Sequence, residues 1–74
     1  MTFRCWYKNG SARLVTADTA EEAKGVAEEL AELDALDVSQ AYTAARGSHP
    51  DRARELKKEW QGLTTVTKVE ALRA

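Results

Sequence analysis

The sequence predicts an α+β fold in which helices pack on one face of a three-stranded antiparallel sheet. Three observations lead to this prediction. An Asn9-Gly10 dipeptide separates two short segments of strand composition, an amphipathic helical segment follows, and β-branched residues return at 64–69. The expected topology is β-β-α-α-α-β. The last strand is expected beside the first, which gives the strand order 2-1-3.

Length and composition favour one small soluble domain. The chain has 74 residues, of which 43% are hydrophobic and 31% charged, as is typical of folded globular proteins. No apolar run approaches the roughly 20 residues that a membrane-spanning helix needs. Arg4 and Lys8 interrupt any signal-peptide pattern, and the single Cys5 cannot form an internal disulfide. We therefore expect a cytoplasmic protein that does not bind membranes.

Residues 2–17 are predicted to form a β-hairpin. A two-residue type I′ turn at Asn9-Gly10 would place Cys5 opposite Leu14 and Trp6 opposite Arg13. Because strand side chains alternate between faces, one face would belong to the core, namely Phe3, Cys5, Tyr7, Ala12 and Leu14. The other, open face would carry an aromatic residue among cations, namely Arg4, Trp6, Lys8, Arg13 and Val15.

The main helix is predicted at 19–34. Asp18 and Glu21, like Thr19 and Glu22, have the spacing of a capping box. Apolar residues at three- and four-residue spacing predict one buried stripe, made of Ala20, Ala23, Val26, Ala27, Leu30 and Leu33. The remaining surface is acidic and carries Glu21, Glu22, Glu28, Glu29 and Glu32.

Two short helices and a strand are predicted in the second half. The helices are expected at about 38–46 and 50–61, with Gly47 after the first and Pro50 opening the second. A strand at 38–45 is the alternative for the first. The final strand is expected at 63–72. Its alternation is imperfect because Val66 and Val69 would point to opposite faces, so a β-bulge or cover on both sides is expected.

Residues suited to catalysis or cofactor binding are few. Cys5, His49 and Asp51 are the only ingredients for nucleophilic chemistry, and Cys5 falls on the predicted core face. One cysteine and one histidine fall short of a tetrahedral metal site. The scattered glycines form no phosphate-binding loop. We therefore predict no enzymatic activity, no cofactor and no metal.

The open face is the main candidate for a binding site, and three interpretations of Trp6 compete. Trp6 could form a local cation–π pair with Arg13, lie in a homodimer or partner interface, or stack on nucleic-acid bases. The sequence pI of about 5.8 disfavours strong attraction to nucleic acid. The acidic helix is either a solvated surface or a binding surface for a basic partner, with mimicry of a phosphate backbone as the extreme case.

The first half of the chain resembles two kinds of protein. The segment FRCWYKNGSARLVTADTAEEAKGVAEEL is similar to the hairpin-then-helix of small phage and actinobacterial proteins. The role of those proteins is unassigned, so the resemblance implies only a phage or mobile-element origin. Together with the open face and the acidic helix, that origin leads us to expect an accessory, inhibitor or immunity-type protein. The segment also resembles the arm-binding domain of phage integrases, whose three-stranded sheet enters the DNA major groove, and this implies that Arg4, Trp6 and Arg13 face DNA. The chain departs from that pattern because no third strand precedes its acidic helix.

Taken together, these features predict a non-enzymatic interaction module that binds a protein partner or forms a homodimer. The alternative is a small nucleic-acid-binding protein that uses the open face. A small enzyme is the third hypothesis.

Overall fold

The computed structural model describes residues 1–72, and these form a three-stranded antiparallel sheet and three helices. The strands are β1 (Thr2–Tyr7), β2 (Ala12–Thr16) and β3 (Val66–Leu72), and the helices are α1 (Ala20–Asp34), α2 (Leu36–Ala45) and α3 (Pro50–Thr64). The strand order is β2-β1-β3. The predicted fold class, topology and strand order are confirmed. No helix within residues 1–72 is long and apolar enough to cross a membrane.

Three residues rather than two close the hairpin, so the predicted register is wrong by one position. The N–H of Tyr7 donates to the Ser11 carbonyl at 2.8 Å, and the N–H of Gly10 donates to the Tyr7 carbonyl at 2.9 Å. The Cα partners are accordingly Phe3 with Val15, Arg4 with Leu14, Cys5 with Arg13, and Trp6 with Ala12.

The conformation of Asn9 explains the longer loop. A type I′ turn needs positive φ at both central residues, whereas Gly10 alone has it, at 92°. Asn9 instead uses its Oδ1 to accept bonds from the Ser11 N–H and hydroxyl, at 3.0 and 2.6 Å. The Asn9 N–H donates to Gly62 in α3 at 2.9 Å. The result is the three-residue loop that pairs a type I turn with a left-handed glycine.

The changed register reverses the two faces of β2, because a shift of one residue sends every side chain of a strand to the opposite side. Val15 and Ala17 are buried, whereas Leu14, expected in the core, is 60% exposed. Ala12, also expected in the core, is exposed. On β1 the prediction for Phe3, Cys5 and Tyr7 holds, since all three are buried.

A stripe of alanines packs α1 against the sheet. Ala23, Ala27 and Ala31 are buried at four-residue spacing and join the core under β1. Their small side chains let the helix backbone approach the strands closely. The Tyr7 hydroxyl therefore reaches the carbonyl of Ala27, at 2.6 Å. Leu30 and Leu33, predicted in this stripe, are instead 40% and 59% exposed.

The helices α2 and α3 form an antiparallel arm with a core of its own. The segment predicted as helix or strand at 38–46 is helical, and both helices begin or end within a few residues of the predicted bounds. Ala45, Ala53 and Leu56 are buried between them, with Val38 and Tyr42 packed alongside. This second core is separate from the core under the sheet, and the molecule is elongated, with extents of 49 × 17 × 14 Å.

The predicted irregularity of β3 is a β-bulge. The register with β1 shifts between Trp6, which faces Lys68, and Tyr7, which faces Val66, so Thr67 is the extra residue. Because of this extra residue, Val66 and Val69 both reach the helix-covered face despite their three-residue spacing.

Candidate functional site

The open face is the side of the sheet that points away from the hydrophobic core. The strand registers place Arg4 and Trp6 on this face between Leu14 and Ala12 of β2 and Glu70 and Lys68 of β3. The complete set is Thr2, Arg4, Trp6, Ala12, Leu14, Thr16, Lys68, Glu70 and Leu72. The sheet therefore exposes a mixed apolar and charged surface centred on β1.

Two of the five residues predicted on the open face lie on it in the structure. Arg4 and Trp6 lie on the open face, and Lys8 is exposed in the hairpin loop. The expected placement of Arg13 and Val15 is wrong, because the register turns both towards the helix-covered side. Without Arg13, the cation over the Trp6 ring comes from its own strand.

Arg4 provides that cation. Its Cζ lies over the Trp6 ring at 5.9 Å from the ring centroid, at the outer limit of a cation–π contact. The predicted cross-strand pair with Arg13 is thus replaced by a pair between alternate residues of β1. Trp6 itself is half-buried, and its indole N–H is buried without a hydrogen-bond partner among the described residues.

Arg13 is engaged elsewhere. Its guanidinium bonds to the carboxylate of Asp34, the last residue of α1. This hydrogen bond raises the pKa of Arg13 above its ordinary value, against the opposing effect of burial. Arg13 therefore ties β2 to the end of α1 and is withdrawn from the open face.

One carboxylate compensates the two cations of the open face. Glu70 lies 3.6 Å from the Arg4 guanidinium and 3.9 Å from the Lys68 ammonium. Exposed pairs of this kind stabilise a fold by only about 0–1 kcal/mol. Their effect here is on the charge of the surface, whose described residues carry one net positive charge in place of the predicted cluster of cations.

Among the open-face residues that the sequence did not place there, Leu14 is the exposed large apolar one. It is 60% exposed and lies directly across from Arg4. The sequence signal for this placement is the alternation of Arg13, Val15 and Ala17. If Val15 and Ala17 face the core, then Leu14 must face the other side of the sheet. The predicted type I′ turn led to the opposite assignment.

The predicted acidic surface divides into free and structural carboxylates. Glu21, Glu22, Glu29 and Glu32 are exposed, and the N–H of Glu22 donates to the Oγ1 of the N-cap Thr19 at 3.1 Å. Glu28 is half-buried and accepts a hydrogen bond from the N–H of Val66 at 3.0 Å. It therefore fixes the start of β3 against α1. No group of acidic, histidine or cysteine side chains within residues 1–72 is arranged to hold a metal ion.

The residues considered for nucleophilic chemistry lie apart. Cys5 is fully buried, its thiol faces the Ala23 carbonyl at 3.7 Å, and burial raises its pKa above the ordinary value. His49 is exposed at the start of α3 and contacts Ser48. The opposite end of α3, about 22 Å away at 1.5 Å per residue, is the end that meets the hairpin loop. The structure therefore does not bring Cys5 and His49 together.

The arm carries a shallow groove between α2 and α3. It has a volume of about 310 Å³ and is lined by Ser39, Tyr42, Thr43, Lys57, Trp60 and Gln61. Trp60 and Tyr42, which line this groove, are both half-buried.

Comparisons with models of protein families, with curated proteins and with solved structures return no match for this chain.

Proposed function

We propose that this protein is a non-enzymatic protein–protein interaction module whose partner-binding surface is the open face. The observation that carries the proposal is Leu14, an aliphatic side chain 60% exposed in a strand, on the same face as Trp6. Large apolar side chains grouped on an uncovered sheet face are typical of interaction surfaces, and tryptophan and arginine are enriched among the residues that dominate binding.

The charge of the open face favours a protein over nucleic acid. Binding to a phosphate backbone depends on several cations that neutralise phosphates. Glu70 lies beside Arg4 and Lys68, and Arg13 bonds to Asp34 on the other side of the sheet. The nucleic-acid hypothesis thus loses the cation cluster on which it depended.

The size of the open face favours a partner that also contacts an edge of the sheet. Three strands about 4.8 Å apart and about six residues long cover roughly 300 Å². A stable interface buries about 800 Å² on each partner. β2 is an edge strand of the sheet, and edge strands present free backbone groups to a neighbouring chain. A partner that covers Leu14 and pairs along β2 would reach the larger area.

Photo-crosslinking from the open face tests this proposal. A photoreactive amino acid replaces the exposed Thr16, and the tagged protein is irradiated in the cells that produce it, with and without Leu14→Ser. The matched control is Ala44→Ser, because Ala44 is exposed on α2, away from the open face. We expect one discrete protein adduct that persists in Ala44→Ser and disappears in Leu14→Ser.

The remaining outcomes separate the alternatives. An adduct sensitive to nuclease would support the nucleic-acid hypothesis, and an adduct twice the mass of the chain would identify a homodimer. The absence of any adduct, or an adduct unaffected by Leu14→Ser, would contradict the open face as the binding surface.

A further inference from the structure

A second apolar surface runs along α1 and the start of α2. It consists of Leu30, Leu33 and Leu36, which are 40%, 59% and 51% exposed. Leu30 and Leu33 lie about one turn apart on α1, and Leu36 begins α2 directly after the break between the two helices at Ala35. We call them the leucine ridge.

The ridge lies outside the core because alanines occupy the sheet-facing side of α1. Successive residues of an α-helix turn by about 100°. Relative to the buried Ala27, this rotation places Glu28 on one flank of the helix and Leu30 with Leu33 on the other. Glu28 bonds to the start of β3. Leu30 and Leu33 are therefore on the flank of α1 that faces away from β3.

Acidic side chains border the ridge. Glu29 precedes Leu33 by four residues in α1, the spacing that puts side chains beside each other on a helix, and Glu32 follows Glu29 by three on the same side of α1. Both carboxylates are exposed, and neither forms an ion pair with another described residue. Across residues 18–37 there are eight acidic residues and one basic residue, Lys24.

This charge decides what can cover the ridge. Two copies of the chain that paired their ridges about a twofold axis would bring the same carboxylates towards each other, and like charges at an interface are costly. A basic segment would instead place cations beside Glu29 and Glu32 while its apolar residues cover the leucines. Charge complementarity therefore selects a basic partner rather than a second copy.

We infer that the leucine ridge is a docking surface for a basic amphipathic helix of a partner protein. Apolar residues at i, i+3 and i+4 of that helix would pack on Leu30, Leu33 and Leu36, the recurring mode in which an amphipathic helix lays its apolar face on an apolar surface. Its lysines or arginines would face Glu29 and Glu32. This surface is distinct from the open face and does not depend on the function proposed above.

A designed peptide tests the inference directly. The probe is a fluorescent 14-residue amphipathic helix made of leucine and lysine, and the control peptides are a scrambled version and a leucine–glutamate version. Fluorescence anisotropy with the full chain should show saturable binding of the leucine–lysine helix and at least about tenfold weaker binding of both control peptides.

Variants separate docking on the ridge from general attraction between opposite charges. Leu33→Ser should weaken binding by about tenfold, because it removes an apolar contact and no charge. Leu14→Ser, on the open face, should leave binding unchanged. Glu29→Lys should weaken binding, whereas Glu59→Lys on α3 makes the same charge change away from the ridge and should have a smaller effect.

Several results would overturn the inference. These are binding of the scrambled peptide as tightly as the amphipathic one, binding unaffected by Leu33→Ser, or no binding at about millimolar peptide. Light scattering provides a further test, since a dimer that Leu33→Asp converts to a folded monomer would identify a second copy as the occupant. Loss of peptide binding in Leu14→Ser as well, with circular dichroism unchanged, would mean that the ridge is not the docking surface.

Discussion

The hydroxyl of Tyr7 donates a hydrogen bond to the backbone carbonyl of Ala27, across the interface between the sheet and α1, at 2.6 Å. Both residues are buried, and this contact depends on the small side chain of Ala27, which lets the helix backbone come within reach of the strand. The same stripe of alanines that permits this contact leaves Leu30 and Leu33 outside the core.

Removing the Tyr7 hydroxyl should destabilise the protein modestly. Tyr7→Phe keeps the buried ring but deletes the bond to the Ala27 carbonyl, so the free energy of unfolding should fall by about 0.5–1.5 kcal/mol. Urea denaturation followed by circular dichroism measures the change. An unchanged midpoint of denaturation would show that the bond contributes nothing to stability.

The buried phenol should also make the protein sensitive to alkali. Burial raises the pKa of Tyr7 above its ordinary 10.0, although the nearby Arg13 partly opposes this. Above pH 10 the unfolded chain therefore loses a proton that the folded chain keeps, and the free energy of unfolding falls as pH rises, by at most about 1.4 kcal/mol per pH unit. Below pH 9 this group causes no pH dependence.

Denaturation at a series of pH values between 8 and 12 checks the alkaline effect. Burial likewise raises the pKa of Cys5 above 9.0, so its contribution has the same sign and begins at lower pH. In Tyr7→Phe the slope above pH 10 should be shallower than in the wild type. Identical slopes in the two proteins would contradict the assignment to Tyr7.

A larger side chain in the alanine stripe should destabilise the protein. Ala27→Leu adds three carbon atoms where α1 meets the sheet, and overpacking of this kind typically costs about 1–3 kcal/mol. Ala44→Leu makes the same change at an exposed position of α2 and should have little effect. Thermal unfolding of the two variants compares them, and equal melting temperatures would mean that the close approach of α1 is not required.

Replacing either of two glycines by alanine should change the stability of the protein, but in opposite directions. Gly10 has φ of 92°, where a side chain is strained, so Gly10→Ala should destabilise the protein by about 1–2 kcal/mol. Gly25 lies within α1 with open space around it, so Gly25→Ala should stabilise by about 0.5–1 kcal/mol. Changes of the same sign in both variants would exclude this explanation.

Substitutions of Glu28 and Glu29 should have very different effects on stability, although the two residues are adjacent. Glu28→Ala leaves the N–H of Val66 without its acceptor and should cost about 1–3 kcal/mol. Glu29→Ala removes an exposed carboxylate and should change stability little. Hydrogen exchange at the Val66 amide provides a local measurement, and we expect faster exchange in Glu28→Ala only.

The sequence by itself determined the fold class, the order of the elements and the core face of β1. Those features depend on local patterns: alternation along a strand, helical spacing of apolar residues, and the cap at Thr19. The position of the last strand beside the first also agrees with the prediction, and the irregular spacing of Val66 and Val69 is due to a bulge, one of the two alternatives that the sequence left open. Apart from the position of the last strand, each signal lies within a few residues of the feature it specifies.

Only the tertiary structure decided the faces of β2 and the outer surface of α1. The loop settles into three residues because Asn9 bonds to Ser11 and donates to Gly62, a contact 53 positions away along the chain. That single-residue shift moves Arg13 and Val15 off the open face and puts Leu14 on it. On α1, alanines occupy the positions that face the sheet, because the contacts of Tyr7 and Cys5 with the helix backbone require a close approach. The longer leucines therefore lie outside the core and are exposed. Local spacing cannot reveal either outcome, since both depend on which element packs against which.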